Sequence, residues 1–167
     1  MRAADVAAEK AALAEKLEQV HRELRAEADD FPAHLLTVRP APEEWSAMEL
    51  LGHVAEMHYS YVARAERLMA SPGTPLARPM DSPERLEGIG RGLSGSLDDA
   101  LAQLDAARLH ALAFLERLTP EEMAIQGHHA SLGQLTVRDV FDRTIVGHAR
   151  NHLDQLRRTR EQVLTRS

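Results

Sequence analysis

The chain has 167 residues, 44% hydrophobic and 28% charged, and carries a net charge of −6. That length supports one domain with a full hydrophobic core, and the acidic balance, with no basic cluster, excludes a general attraction for nucleic acid. There is no cysteine, which removes disulfides, thiolate catalysis and Cys-containing zinc sites, so any metal must be held by His, Asp or Glu.

Aromatic residues are only 4%, while Ala and Leu are abundant, a balance that favours helix over sheet. No apolar run is long enough for a membrane span. The opening MRAADVAAEKAALAEK is studded with charge and lacks a signal-peptide core, so a cytoplasmic protein is expected.

The first expected helix runs from Ala3 to Leu36, with Val6, Leu13, Leu17, Val20, Leu24 and Phe31 on one buried face. Pro32 is placed to kink its end. His21 and His34 have no spaced partner, which gives them surface or structural roles. The stretch VRPAPEEWS then excludes helix through Pro40 and Pro42. Ser46 and Glu49 form a capping box, and Trp45 with Leu50 has the spacing of a hydrophobic staple.

The second helix is expected from Ala47 to Met69, buried through Leu50, Leu51, Val54, Met57, Tyr61, Ala65 and Leu68. His53 lies on a shoulder of that stripe, roughly 60° from Leu50. His58 lies nearer the centre, so periodicity alone favours His58 as the buried histidine. Glu49 and Glu56 sit one turn to either side of His53.

From Ser71 to Leu93 the sequence holds four prolines and four glycines, and no regular element is expected there. Neighbouring helices need only ~2–8 connecting residues. This segment therefore reads as a crossover from one end of a bundle to the other, part of it able to cover a site.

The third helix spans Ser96 to Leu118. Arg108 lies within its apolar stripe and is expected to snorkel to the rim, with binding of an anionic substrate as the minority reading. MAIQGHHASLGQL reads as a loop with hairpin character, its adjacent His128 and His129 suited to the surface.

The fourth helix, Leu135 to Val163, gathers Val137, Val140, Phe141, Ile145, Ala149 and Leu156 on one side. Arg143 falls on its charged back. His148 and His152 fall inside the stripe, one turn apart and pointing the same way. Two inward imidazoles need partners: either separate hydrogen bonds or one shared metal ion.

The fold class is therefore all-α: a four-helix bundle with a long crossover between helices 2 and 3, in up-down-down-up order. In that topology His53 lies ~10 Å from the start of helix 2 and His152 ~16 Å from the end of helix 4, at the same end of the bundle. His128 and His129 would lie at the far end.

PEEWSAMELLGHVAEMH and, later, TVRDVFDRTIVGHARNH resemble the DinB-like superfamily, and most closely its branch of bacillithiol transferases and related thiol-dependent enzymes. The shared features are a Trp before the second helix, a His-Val-Ala-acidic run on it, and a His-x3-His pair on the last helix. The resemblance implies a divalent metal, zinc or nickel first and iron or manganese next, held by His53, His148 and His152. It thus selects His53 over His58, with His58 beside the ligands or on the substrate side. Relatives often carry a further His immediately before the last ligand, where this chain has Asn151.

The implied activity is transfer of a low-molecular-weight thiol such as bacillithiol to an electrophile. Alternatives are metal-dependent hydrolysis, a metal-stapled non-catalytic bundle, or a stress-related binding protein. Glu56 is the candidate proton acceptor or orienting carboxylate. Arg91, Arg108 and His58 are placed to meet an anionic thiol or its partner. The resemblance also implies a homodimer, and neither nucleic acid nor membrane is expected as a partner.

Overall fold

A computed structural model of the protein describes residues 3–76 and 81–166. Helix α1, Ala3–Asp29, buries Leu13, Leu17, Val20 and Leu24 almost completely. It does not kink through Pro32 to Leu36 but stops at Asp29, because a proline ring clashes with the carbonyl four residues before it. A short 3-10 turn, Ala33–Leu35, follows.

Helix α2, Ala47–Ala70, begins at the expected box: the Ser46 side chain accepts from the Glu49 N–H, and the Glu49 carboxylate accepts from the Ser46 N–H. Glu49 is fully buried and is also gripped by both arms of Arg39. This fixes the connection from α1 against the start of α2, where a buried carboxylate without a partner would be costly.

The crossover is not irregular throughout. Helix α3, Pro83–Ser94, occupies its second half, while residues 77–80 of that segment lie outside the described residues. Pro83 sits in the first turn, where its missing N–H costs nothing. Gly88 and Gly92, one turn apart, serve close packing and do not break the helix. A Cβ on Gly92 would lie 2.1 Å from the Met48 carbonyl oxygen, one on Gly52 2.4 Å from that of Gly88, and one on Gly88 2.4 Å from Glu56 Cβ. The backbones of α2 and α3 thus touch where side chains would normally separate them.

Helix α4, Leu97–Arg117, starts at a second capping box, Ser96 with Asp99. After the short α5, Pro120–Met123, the segment read as a loop with hairpin character forms two short strands, β1, Gln126–His129, and β2, Gly133–Thr136, paired antiparallel from Gln126↔Thr136 to His129↔Gly133. Gly133 turns it at φ +73°, a left-handed conformation suited to glycine. Leu76 N–H donates to the His128 carbonyl at 2.9 Å, tying the crossover to the hairpin.

The last helix, α6, is three segments in series: Val137–Asp139, a π-helical stretch Val140–Val146, and Gly147–Leu164. The Gly147 N–H donates to Asp142, five residues back. Such a turn accommodates one extra residue and rotates all that follows by about 100° relative to a plain helix. The buried face accordingly moves from Val137, Val140, Phe141 and Thr144 to Ala149, Leu153, Leu156 and Val163.

Contacts between helices fix their directions. Glu9–Arg138 at 2.8 Å, Lys16–Asp142 at 2.9 Å and Glu23–Arg157 at 2.9 Å rise together along α1 and α6, which are parallel. Lys10 reaches the Glu116 carbonyl and Arg25 reaches Asp105, so α1 and α4 are antiparallel. Tyr59 packs on His110 and Glu66 pairs with Arg117, so α2 and α4 are parallel. The order is up-down-down-up, with α3 packed across α2 as part of the crossover. No helix among the described residues is long and apolar enough to cross a membrane.

Candidate metal centre

His53 on α2 and His148 and His152 on α6 are the group brought together, each offering one ring nitrogen with all three within 4.8 Å of one another. The Nε2 atoms of His53 and His148 are 3.2 Å apart, and those of His148 and His152 2.8 Å. Bonds of ~2.0–2.1 Å to a single ion place neighbouring ligand nitrogens about 3.0–3.4 Å apart. The three imidazoles therefore fit a divalent metal. Three nitrogens facing inward cannot all be satisfied by protons they would have to share, whereas one cation satisfies every lone pair.

The π segment decides how these rings are presented. On an uninterrupted helix His148 and His152 would continue the stripe of Val137, Phe141 and Thr144 into the core. The rotation moves them to its flank, where both are half-buried, while His53 is 1% exposed. The result is a centre with a packed floor and an open side.

Neighbours orient the rings. The Gln155 side-chain oxygen accepts from His152 Nδ1 at 2.9 Å, which puts the proton there and leaves Nε2 as the donor atom for a metal. Burial lowers the His152 pKa, with the nearby Arg85 cation adding to the effect and the Gln155 bond opposing it. The ring is thus held neutral, the ligating form. Trp45 contacts His53 edge-on, with centroids 4.8 Å apart, and stacks beside His152 at 6.0 Å. Arg85 of α3 lies over the indole at 5.1 Å, so the crossover does cover one side of the site.

The open side is a cleft of ≈ 400 Å³ running from His53 and His148 to the β-hairpin. Asn151, next to His152 in the chain, lines it.

The remaining sequence-based candidates are placed differently. His58 is 1% exposed, and its Nε2 lies 2.9 Å from that of His21. It faces α1 instead of the triad, because a helix turns five residues through about 500° and so separates His53 from His58 by about 140°. Glu56 stands behind His53, its Oε2 3.9 Å from Nδ1, and lines grooves on the α3 side of α2. Arg108 pairs with Glu18 at 2.6 Å and Arg91 with Glu87 at 2.8 Å, both away from the cleft.

His129 does not lie beyond reach at a far end. It lines the cleft, with its Nε2 3.2 Å from the Tyr61 hydroxyl. Arg143, expected on the charged back of the last helix, also lines it. Nothing in the sequence singles out Arg85 or Gln155. Trp45 reads from its spacing only as a staple, although its position just before α2 is one of the features carrying the family resemblance.

Comparisons with known proteins agree with this architecture. YfiT from Bacillus subtilis, described as a probable metal-dependent hydrolase with an unusual four-helix bundle topology, superposes with a TM-score of 0.72 at 19% identity, over 92% of this chain and 87% of that one. TT2238, a four-helix bundle protein, gives 0.64 at 21% identity, over 89% and 98%. A histidine-to-alanine mutant of the mycothiol-dependent maleylpyruvate isomerase gives 0.64 at 13% identity, over 84% of this chain and 59% of that one. No curated protein matches the sequence significantly. The sequence profile of the DinB superfamily matches residues 16–156, and the chain belongs to that superfamily.

Proposed function

We propose that the protein is a metal-dependent enzyme that transfers a low-molecular-weight thiol, such as bacillithiol, to an electrophilic small molecule. The observation carrying this is the convergence of the His53, His148 and His152 nitrogens beside an open cleft that His53 and His148 line. Three protein ligands leave a coordination position for an exchangeable ligand, as catalytic sites do. A divalent ion held there, zinc or nickel first and iron or manganese next, supplies Lewis acidity that lowers the pKa of a coordinating thiol or water.

The chain's own residues favour the thiol. Attack by water is assisted by a proton acceptor beside the site, and no Asp or Glu among the described residues lines the cleft. The Glu56 carboxylate, 3.9 Å from His53 Nδ1, backs that ring from the other side. A thiol of pKa ≈ 8.5 loses its proton near neutrality with modest help and needs no such base. The chain has no cysteine, so the thiol comes from a co-substrate. Trp45 and Arg85 wall the metal end, limiting water and placing a cation beside a developing thiolate.

Hydrolysis is the second reading, supported by the description of YfiT as a probable metal-dependent hydrolase. The isomerase neighbour is described as mycothiol-dependent, a thiol-requiring reaction on a similar fold. Elemental analysis of purified protein, followed by a thiol screen against an activated aryl halide, tests the proposal. Bound metal and thiol consumption that chelator abolishes are expected. Ester or amide cleavage without thiol would establish hydrolysis instead. Metal without either activity would leave a metal-stapled binding protein.

A further inference from the structure

Away from the triad, the cleft follows α2 from His53 to Tyr61, two turns or ~12 Å along the helix. Its far wall is the hairpin, with His129 and Ser131, and the π segment, with Arg143. Hydrogen bonds set the polarity there. The backbone N–H groups of Ser131 and Leu132 both donate to His129 Nδ1, each at 3.3 Å. A ring nitrogen that accepts carries the lone pair, so the proton of the neutral imidazole is on Nε2. Nε2–H then donates to the Tyr61 oxygen at 3.2 Å, which makes the phenol oxygen an acceptor toward His129 and turns its own O–H elsewhere as a donor. The His129 pKa is lowered, first by burial and then by the charges of His128, Arg143 and Arg64, in keeping with a neutral ring.

Charge points the same way. The sequence holds 26 acidic residues against 20 basic ones. Yet among the described residues this cleft is lined by Arg85 at the triad end, Arg143 at the hairpin end, and no Asp or Glu. A concave surface of one sign inside a protein of the opposite net sign focuses potential on ligands of complementary charge.

We propose that the hairpin end of the cleft is a carboxylate subsite, so that the ligand is a small organic acid whose carboxylate meets Arg143 and the Tyr61 hydroxyl while its other end reaches the three imidazoles. The second half rests on the metal-dependent reading above; the subsite itself does not. Arg143 precedes His148 by five residues, ~7 Å of helix. The two anchors thus require a ligand that reaches ~7–12 Å. His129 is a positioning residue that sets the direction of the Tyr61 hydrogen bond.

Mercaptohexanoic acid and its neutral amide, titrated calorimetrically into zinc-loaded protein, test the pair of anchors. The acid is expected to bind about tenfold or more tightly than the amide, as a charge-assisted hydrogen bond requires. Arg143→Gln should erase that preference, and Tyr61→Phe should reduce it. Arg143 is exposed, so its replacement leaves folding intact. Equal binding of acid and amide by the unaltered protein would overturn the subsite.

If neither thiol binds, the thiol reading fails, and hexanoate titrated into metal-free protein decides the subsite alone. Saturable shifts of the His129 and Tyr61 ring resonances that Arg143→Gln removes would support it. Their absence would overturn it.

Discussion

His53 Nε2 and His148 Nε2 lie 3.2 Å apart although 95 residues separate them in the chain. Antiparallel packing of α2 and α6 makes that approach, and rings so spaced fit a cation between them. His148→Ala should therefore empty the site, measured as metal per chain after dialysis. Its far-ultraviolet circular dichroism should stay within a few per cent of wild type, because the apolar core, not an ion, holds the helices together. Loss of helicity together with metal would assign the triad a folding role instead.

Gln155 holds His152 by its Nδ1 proton at 2.9 Å, and partners of this kind raise metal affinity about 10–100-fold. Gln155→Ala should lower affinity by that factor in a competition titration with a coloured chelator. Gln155→Glu should retain most of it. Equal affinity in all three proteins would show that the bond does not orient the ring.

Glu56 offers a contrast, since its carboxylate faces the back of His53 at 3.9 Å and not the cleft. Glu56→Gln should weaken metal binding by up to about tenfold while leaving the turnover of fully loaded enzyme unchanged. A slower loaded enzyme with normal metal content would instead make Glu56 a proton carrier.

The His21–His58 pair predicts a pH dependence of stability. Burial lowers both rings from 6.5 to about 3; Arg108 contributes at His21, and His21 and His110 contribute at His58, where the Val54 carbonyl opposes the shift. Between these values the unfolded chain binds protons that the folded one refuses, so stability falls as pH falls. It is fully present above about 6.5 and is lost progressively toward 3. Urea denaturation of metal-free protein should show a loss on the order of a few kcal/mol by pH 4.5. The double variant His21→Leu/His58→Leu should flatten that slope; an unchanged slope would place the proton-sensitive groups elsewhere.

Gly92 tests the contact between the crossover and the bundle. A methyl group there meets the Met48 carbonyl at 2.1 Å, and overpacking of this kind costs about 1–3 kcal/mol. Gly92→Ala should lower the urea midpoint and expose α3 to limited proteolysis before the remaining helices. Gly90→Ala, with open space around it, is the matched control and should be neutral or stabilising.

What is readable in the sequence follows the range of the forces involved. Ser46 with Glu49 and the apolar spacing of α1 are local, and both appear as read. The excessive length of the Ser71–Leu93 connection is enough to make α2 and α4 parallel. Glycine misleads because it has two uses: Gly88 and Gly92 read as breakers, but one turn apart on a helix they form a contact face. The choice of His53 over His58 does not come from periodicity, since both lie near the same stripe. What separates them is which neighbouring helix each faces, and the family resemblance carries that information. Arg143 is hidden because a uniform 100° wheel does not show a π turn. The drift of apolar positions from Val137–Thr144 to Ala149–Val163 is its trace.

That turn has a consequence for how such a centre is gained or lost. Excising a single codon between Val140 and Val146 would remove the one residue the π turn accommodates, and a plain α-helix through the shortened segment would leave His148 and His152 on the faces they already occupy. Every ligand would still be encoded, and the helix would keep an apolar face. In a lineage of such bundles, the length of this segment is therefore free to differ by one residue beside an intact set of histidines, whereas an uninterrupted helix of the present length would turn both rings toward the core by ~100°.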